Sequence, residues 1–440
     1  VVGLPTLSPY QVEGAEWLAS KRRAILADRV GLGKTAQAIS ACDRLGCRRV
    51  LVVAPKTLLH NWVREIGLWS EGDVHILTTR NDLKPGARWT VTNYEVVVRR
   101  PLFNTRWDAL VVDEAHRIKN RKAQRTRAIF RLARRVPVVF LLTGTPLLNR
   151  PDELWPLLHA VDPETFRSYW RWVDRHCLQE TVVAGGRPVA TRVVGVIDEE
   201  ALRRELSAYM LMRDASVIDL PPRLEEVLRV ELSPRQRRQY EQMRQLYVAD
   251  LGDEVLVAQN ALTRLLRLQQ LALDPRLVGG SVRGAKTDAI LEFIEDHPDE
   301  KILVFSTFKG FVRLLGEELQ ARGIGSVAIT GDHTPPQRQA AADRFQTDEA
   351  VRVLLGTYDA MSEGLNLQAA DIVIHANKPW VPSLIEQAEA RALRRGRSRP
   401  VTAVSVVADR TVDAYIEEVL ATKLLFVDVV TLYKHAVAIA

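Results

Sequence analysis

Asp28-Arg29-Val30-Gly31-Leu32-Gly33-Lys34-Thr35 is the stretch whose reading decides the fold. An apolar run at 24–27 precedes it and a helix-like segment at 36–42 follows. Strand, glycine loop and helix together are the context in which this pattern has chemical meaning. Glycines let backbone N–H groups turn inward around phosphate oxygens, and a helix N-terminus adds a favourable dipole. Gly31 and Gly33 supply that turn, Lys34 reaches the β- and γ-phosphates, and Thr35 ligates magnesium. The strict form of the pattern has Gly where Asp28 stands. A plain glycine turn is the alternative reading, and the flanking strand and helix weigh against it.

Working outward, Val111-Val112-Asp113-Glu114-Ala115-His116 ends a second apolar run. Carboxylates at the carboxyl end of a parallel strand face the same crevice as a phosphate loop on a neighbouring strand. Asp113 is therefore expected to help hold magnesium, and Glu114 to orient the attacking water. Alone, an Asp-Glu pair reads as a solvated turn; the upstream phosphate loop changes that reading. Leu142-Thr143-Gly144-Thr145-Pro146 ends a third run, where small hydroxyl residues can sense the γ-phosphate.

Apolar runs at 24–27, 50–54, 89–92, 109–112 and 138–142 alternate with helix-like segments, the pattern of parallel strands with crossover helices. It recurs at 301–306, 326–330, 351–356, 371–376 and 401–407, which predicts a second α/β lobe. Between them, 151–285 reads as a mainly α-helical insertion, with helices at 234–247 and 260–271 and a hairpin or loop at 179–192. Trp155, Trp170 and Trp172 read as its core. The expected domains are 1–150, 151–285, 286–410 and a helical tail at 411–440.

The 440 residues suit two domains, and 47% hydrophobic with 26% charged residues is an ordinary globular composition. The net charge of +7 favours a polyanionic partner. Three scattered cysteines cannot make a disulfide framework and contain no CxxC pair for zinc. They fit a reducing compartment, and the expected location is cytoplasmic, with a prokaryotic or viral source favoured and a nuclear one if eukaryotic. No apolar stretch has the length of a membrane span. Val1 rather than Met opens the chain, as a trimmed end would.

These segments, in this order, resemble superfamily-two helicases of the Swi/Snf-type branch. Leu7-Ser8-Pro9-Tyr10-Gln11 is similar to the family's opening segment, and 54–62 (APKTLLHNW) and Thr92-Asn93-Tyr94-Glu95 to its next two. Asp113–His116 is its DEAH box. In the second half, Phe305-Ser306-Thr307-Phe308, 357–367 (TYDAMSEGLNL), Trp380-Val381-Pro382 and 387–396 (QAEARALRRG) continue the match. Ala390 and Leu393 stand where the family has Asp and His.

The resemblance implies an α/β fold of two RecA-like lobes and an ATP-dependent, Mg2+-requiring translocase on double-stranded DNA. Gln11 is then an adenine contact, Gly364 a nucleotide contact, and Arg391 and Arg394, three residues apart on one helix face, the arginines that meet the γ-phosphate. Lys56, Thr57, Thr92, Asn93, Ser306, Thr307 and Thr357 are the expected DNA backbone contacts. Trp380 either touches sugar or base or packs beneath the second lobe. A strand-separating helicase and an ATP-switched clamp with little turnover are the rival readings, and a protein partner is left open.

Overall fold

In the computed structural model the described residues are 6–144, 151–184, 187–213, 217, 223–251, 255–258, 261–361, 365, 367–380, 382–393 and 399–421. The chain divides into two compact units, one running through Ile218 and the other beginning at Asp219.

The first unit contains α1 (Pro9–Lys21), β1 (Arg23–Leu26), α2 (Lys34–Arg44), β2 (Val50–Ala54), α3 (Leu59–Trp69), β3 (Val74–Ile76), β4 (Trp89–Asn93), α4 (Tyr94–Arg99) and β5 (Ala109–Val112). It continues with α5 (Gln124–Ala133), β6 (Val138–Leu142), α6 (Trp155–Val161), α7 (Tyr169–His176), β7 (Cys177–Ala184), β8 (Arg187–Val196), α8 (Glu199–Leu206) and β9 (Met210–Leu211). Its parallel sheet has the order β3-β4-β2-β5-β6-β1-β9. The central strands β2, β5 and β6 are apolar at every position because both faces are covered. Ile25, Leu51, Val53, Leu110, Val112 and Leu141 pack on one face. Their immediate neighbours Leu26, Val50, Val52, Val111 and Leu142 pack on the other.

The second unit contains β10 (Arg223–Val230), α9 (Pro234–Leu246), β11 (Val248–Asp250), β12 (Val255–Val257), α10 (Ala261–Leu273), α11 (Ala285–Asp296), β13 (Ile302–Ser306) and α12 (Lys309–Ala321). Then come β14 (Ser326–Ile329), α13 (Pro335–Thr347), β15 (Val353–Thr357), α14 (Tyr358–Met361), β16 (Ile372–His375), α15 (Pro382–Glu389), β17 (Val401–Ala408) and α16 (Val412–Ala421). Its parallel sheet has the order β10-β17-β16-β13-β15-β14. Ile302, Val304 and Ile374 face one core layer, Leu303, Phe305 and Val373 the other.

The stretch 151–285 is shared between the units. It holds α6 to α10 but also donates β9 to the edge of the first sheet and β10 to the edge of the second. The expected hairpin around 179–192 forms as β7 and β8, antiparallel with two bulges. Trp155 and Trp172 are core, as read from sequence, whereas Trp170 is 63% exposed, with the Arg121 guanidinium 5.7 Å from its ring centroid. The expected tail helix is described only as α16; residues beyond 421 lie outside the described part. No helix among the described residues is long and apolar enough to cross a membrane.

Candidate nucleotide site

All strands of the first sheet run parallel, so the segments that leave β1, β5, β6, β2 and β4 emerge at one edge. The phosphate loop follows β1 and turns at Gly31 (φ 93°) and Gly33 (φ 71°), a left-handed conformation that favours glycine. Gly33 is doubly constrained. A Cβ there would lie 2.2 Å from Nε2 of Gln11. Lys34 opens α2 and its ammonium folds back to donate to the carbonyls of Asp28 (2.7 Å) and Arg29 (3.3 Å). Thr35 is half-buried in the same first turn.

Gln11 is placed against this loop by the start of α1. Ser8 caps that helix, Pro9 fills its first position, and Gln11 Oε1 accepts the Ser8 N–H at 3.0 Å, a capping box. The other end of the same amide donates to the Leu32 carbonyl at 3.3 Å.

Beneath the loop lies a polar network that sequence reasoning missed. Asp28 is fully buried. Arg213 donates to both its oxygens, Nε to Oδ1 at 3.0 Å and Nη2 to Oδ2 at 2.6 Å. Arg213 Nη2 also donates to Gln37 Oε1 (2.7 Å) and Nη1 to the Tyr10 carbonyl (2.5 Å). Gln37 Nε2 donates to Asp28 Oδ2 at 3.1 Å. Gly14 leaves room for this, since a Cβ there would lie 1.9 Å from Gln37 Oε1. Asp28 therefore occupies the loop's first position because its carboxylate is the centre of a buried fork. The departure from Gly at that position was the available signal.

Asp113 leaves β5 with both oxygens engaged. Trp62 Nε1 of α3 donates to Oδ2 at 2.8 Å and the Glu114 N–H to Oδ1 at 2.9 Å. Trp62 is 1% exposed, so this partner is fixed by the core. Glu114 takes a left-handed backbone (φ 49°), which costs a non-glycine residue roughly 1–2 kcal/mol. The Tyr94 hydroxyl holds that turn by donating to the carbonyls of Asp113 (2.5 Å) and Glu114 (3.3 Å). Glu114 Oε2 lies 3.1 Å from His116 Nδ1.

Burial, and then the Glu114 charge, push the Asp113 carboxyl up to about 6, while Trp62, the Glu114 N–H and the Lys34 charge pull it down. The sign follows directly. A raised folded value means that folding favours the protonated form, so above pH 6 the ionised carboxylate costs stability, and below the unfolded value near 3.8 the cost is gone. Asp113→Asn should accordingly stabilise the nucleotide-free protein at pH 8 by up to about 3 kcal/mol and by almost nothing at pH 3.5. Thermal unfolding at the two pH values checks this; a destabilised variant at pH 8 refutes the assignment.

The geometry assembles an anion cradle from loop N–H groups, a helix N-terminus and an ammonium. Beside it stands a buried carboxylate whose ionisation wants a cation. The oxygen donors Thr35 and Asp113 suit a hard divalent ion that takes its remaining ligands from phosphate and water. Among the described residues no group of three or more His, Cys, Asp or Glu side chains gathers to hold a metal alone.

The other expected site residues divide. Lys56 is exposed and Thr57 half-buried in a 3-10 turn after β2. Asn93, at the end of β4, caps α4 by accepting the Val96 N–H at 3.0 Å. Thr92 does not reach the surface: it is fully buried and its hydroxyl donates to the Leu77 carbonyl at 2.8 Å. In the second unit Ser306 is also buried, donating to Asn377 Oδ1 at 2.8 Å, while Thr307 beside it is exposed and Thr357 half-buried. Neither Thr92 nor Ser306 therefore meets the expectation of a DNA contact, since each is buried as a whole residue at a strand end; their neighbours Asn93 and Thr307 are the ones that reach the surface. Trp380 is half-buried against Tyr415, ring centroids 6.3 Å apart.

Arg391 is 8% exposed and follows the end of α15 in a turn, where its N–H donates to the Ala388 carbonyl at 3.2 Å. The expected shared helix face with Arg394 is corrected in this respect, because α15 stops at Glu389. Ala392 and Leu393 both return their N–H groups to the Glu389 carbonyl, tightening the end. Arg394 and Gly364 lie outside the described residues.

Residues 10–277 match the SNF2-related domain and residues 285–396 the helicase conserved C-terminal domain. SWI/SNF-related matrix-associated actin-dependent regulator of chromatin subfamily A member 1 of Mus musculus is 30% identical, the match covering 94% of this chain and 42% of the relative. The ISWI chromatin-remodeling complex ATPase ISW1 of Saccharomyces cerevisiae is 29% identical over 95% of this chain and 40% of its own length. The chain thus spans about two fifths of the length of these curated relatives. A solved structure titled Sulfolobus solfataricus SWI2/SNF2 ATPase core in complex with dsDNA matches with 24% identity and a TM-score of 0.46, covering 99% of this chain and 94% of that one.

Proposed function

Since the chain belongs to the SNF2-related family, we propose that it is an ATP hydrolase that moves along double-stranded DNA. The observation that carries this is the phosphate loop at Gly31–Thr35 with Asp113 and Glu114 leaving a strand of the same sheet edge.

In this reading Gln11 contacts adenine, the loop N–H groups and Lys34 bind the phosphates, and Thr35 and Asp113 hold magnesium. That ion, when bound, neutralises charge on the phosphate oxygens. Glu114 orients the water, held in place by the Tyr94 hydroxyl behind its backbone. Arg391 and Arg394 are the guanidinium groups that meet the γ-phosphoryl group, and Gly364 is a further nucleotide contact. Such a cation accelerates transfer by roughly a thousandfold to a hundred-thousandfold, or about 4–7 kcal/mol. ATP then favours the arrangement in which both units grip it, and hydrolysis removes that preference.

Lys56, Thr57, Asn93, Thr307 and Thr357 contact DNA phosphates without reading sequence. Both units contribute, so a change between them moves one grip against the other. Ala390 and Leu393, where the family has Asp and His, favour one second reading, a clamp that binds DNA with little turnover.

Phosphate release measured with no DNA, with duplex and with single strand separates these readings. The expected result is at least tenfold stimulation by duplex over no DNA, without displacement of an annealed strand. Duplex binding with no hydrolysis supports the clamp, and single-strand preference with strand displacement supports an unwinding enzyme.

A further inference from the structure

Within the second unit, a run of buried polar residues that the scheme above does not use, Asn377, Tyr358, His375 and Glu389, lies between Thr307 and the Arg391 turn. At one end Asn377 Oδ1 accepts the Ser306 hydroxyl (2.8 Å) and the Thr307 N–H (3.1 Å), while Asn377 Nδ2 donates to the Thr307 hydroxyl. The carbonyl of the same Asn377 accepts the Tyr358 hydroxyl at 3.1 Å, and that hydroxyl lies 2.7 Å from His375 Nδ1. His375 Nε2 is 3.0 Å from Glu389 Oε1. Glu389 in turn receives the N–H groups of Ala392 (3.0 Å) and Leu393 (2.9 Å), which close the turn bearing Arg391.

None of Tyr358, His375 and Glu389 is more than 3% exposed. The rest of β16 is Ile372, Val373 and Ile374, so His375 is an ionisable group on an otherwise apolar strand. A buried His–Glu pair is a weak source of stability, because apolar residues of similar volume serve at least as well. Its position is what distinguishes it. It joins the exposed end of the β13 loop, at Thr307, to the turn of Arg391.

We propose that Tyr358, His375 and Glu389 are positioning residues that set the Arg391 turn according to whether a backbone phosphate is held at Thr307. This rests on the reading of the chain as a DNA-stimulated ATPase. The Tyr358 hydroxyl has one proton and two neighbours able to accept it. Directed at His375 Nδ1, it fixes the ring's own hydrogen on Nε2, where it bonds Glu389. Directed at the Asn377 carbonyl, it leaves Nδ1 without that donor and weakens the hold on Glu389. A phosphate that takes over Thr307 releases the Asn377 side chain from it, and the resulting shift of Asn377 moves the backbone carbonyl that Tyr358 can choose. Networks of this kind polarise along their length, and loss of one member is felt at the other end.

The test is the duplex stimulation ratio of Tyr358→Phe, which removes only the hydroxyl and keeps the ring in its cluster with Phe305 and His375. Tyr240→Phe is the matched control. It too is a buried tyrosine of this unit, and its hydroxyl accepts the Val412 N–H at 2.8 Å, away from that run. Tyr358→Phe should keep DNA-free hydrolysis and duplex affinity within about twofold of the parent while its stimulation ratio falls roughly tenfold; Tyr240→Phe should keep the parent ratio. If Tyr358→Phe does not fold, Glu389→Gln, which keeps an acceptor but removes the charge, should lower the ratio about threefold. An unchanged ratio in Tyr358→Phe, or an equal fall in Tyr240→Phe, overturns the relay. Absence of duplex stimulation in the parent chain instead removes the reading on which the relay rests.

Discussion

Replacing Lys34 by alanine is expected to lower steady-state ATP hydrolysis by roughly a thousandfold while duplex affinity stays within about threefold. Lys34 opens α2, and its ammonium already sits inside the loop on the carbonyls of Asp28 and Arg29. A phosphate entering the loop exchanges those two neutral carbonyls for anionic oxygens, which adds charge–charge attraction to bonds the ammonium already assists. Glu114→Gln should have a comparable effect on turnover for a different reason. It preserves the shape of the turn held by Tyr94 but removes the carboxylate that orients water. The two variants part company in binding: Lys34→Ala weakens ATP affinity, whereas Glu114→Gln leaves it near the parent value. Phosphate release, nucleotide binding and DNA anisotropy on the same preparations check all three statements. Hydrolysis at the parental rate by either variant removes the site assignment.

The second large effect is structural. Arg213→Ala should destabilise the first unit by about 3–5 kcal/mol, because it strips the only fully charged partner from a carboxylate with no exposure to water. A unit of this size then unfolds roughly 10 °C lower. Arg213→Lys should fall between, since a lysine keeps the charge but cannot span both Asp28 oxygens, Gln37 and the Tyr10 carbonyl at once. Calorimetry resolves the outcome. A melting temperature unchanged within about 2 °C in Arg213→Ala would show that Gln37 alone satisfies Asp28.

Legibility from sequence followed burial. Strands at 50–54, 109–112 and 138–142 were readable to the residue because a strand covered on both faces is apolar throughout. β9 and β10 were not. The first is two residues long, and the second reads Arg-Leu-Glu-Glu-Val-Leu-Arg-Val, with half its positions charged because it lies at a sheet edge. In the candidate site, local motifs disclosed Lys34, Thr35, Asp113 and Glu114. Partners far away in the chain stayed hidden. Nothing in the sequence sets Arg213 beside Asp28, 185 residues earlier, and Trp62 was visible as part of a motif without its bond to Asp113. Thr92 and Ser306 were misjudged because a hydroxyl at a strand end looks the same whether it faces water or a carbonyl.

Arg213 also follows β9, where the chain leaves the first sheet for its connection towards β10. The strand that delivers it, β9, is fastened by only two residue pairs to β1. A tensile load arriving along that connection therefore meets the guanidinium fork before it meets any extensive sheet. The grip on Asp28, with the Arg29 N–H bonded to the Arg213 carbonyl, thus makes the end of this sheet edge and the phosphate loop one mechanical piece, so that whatever displaces the one displaces the other.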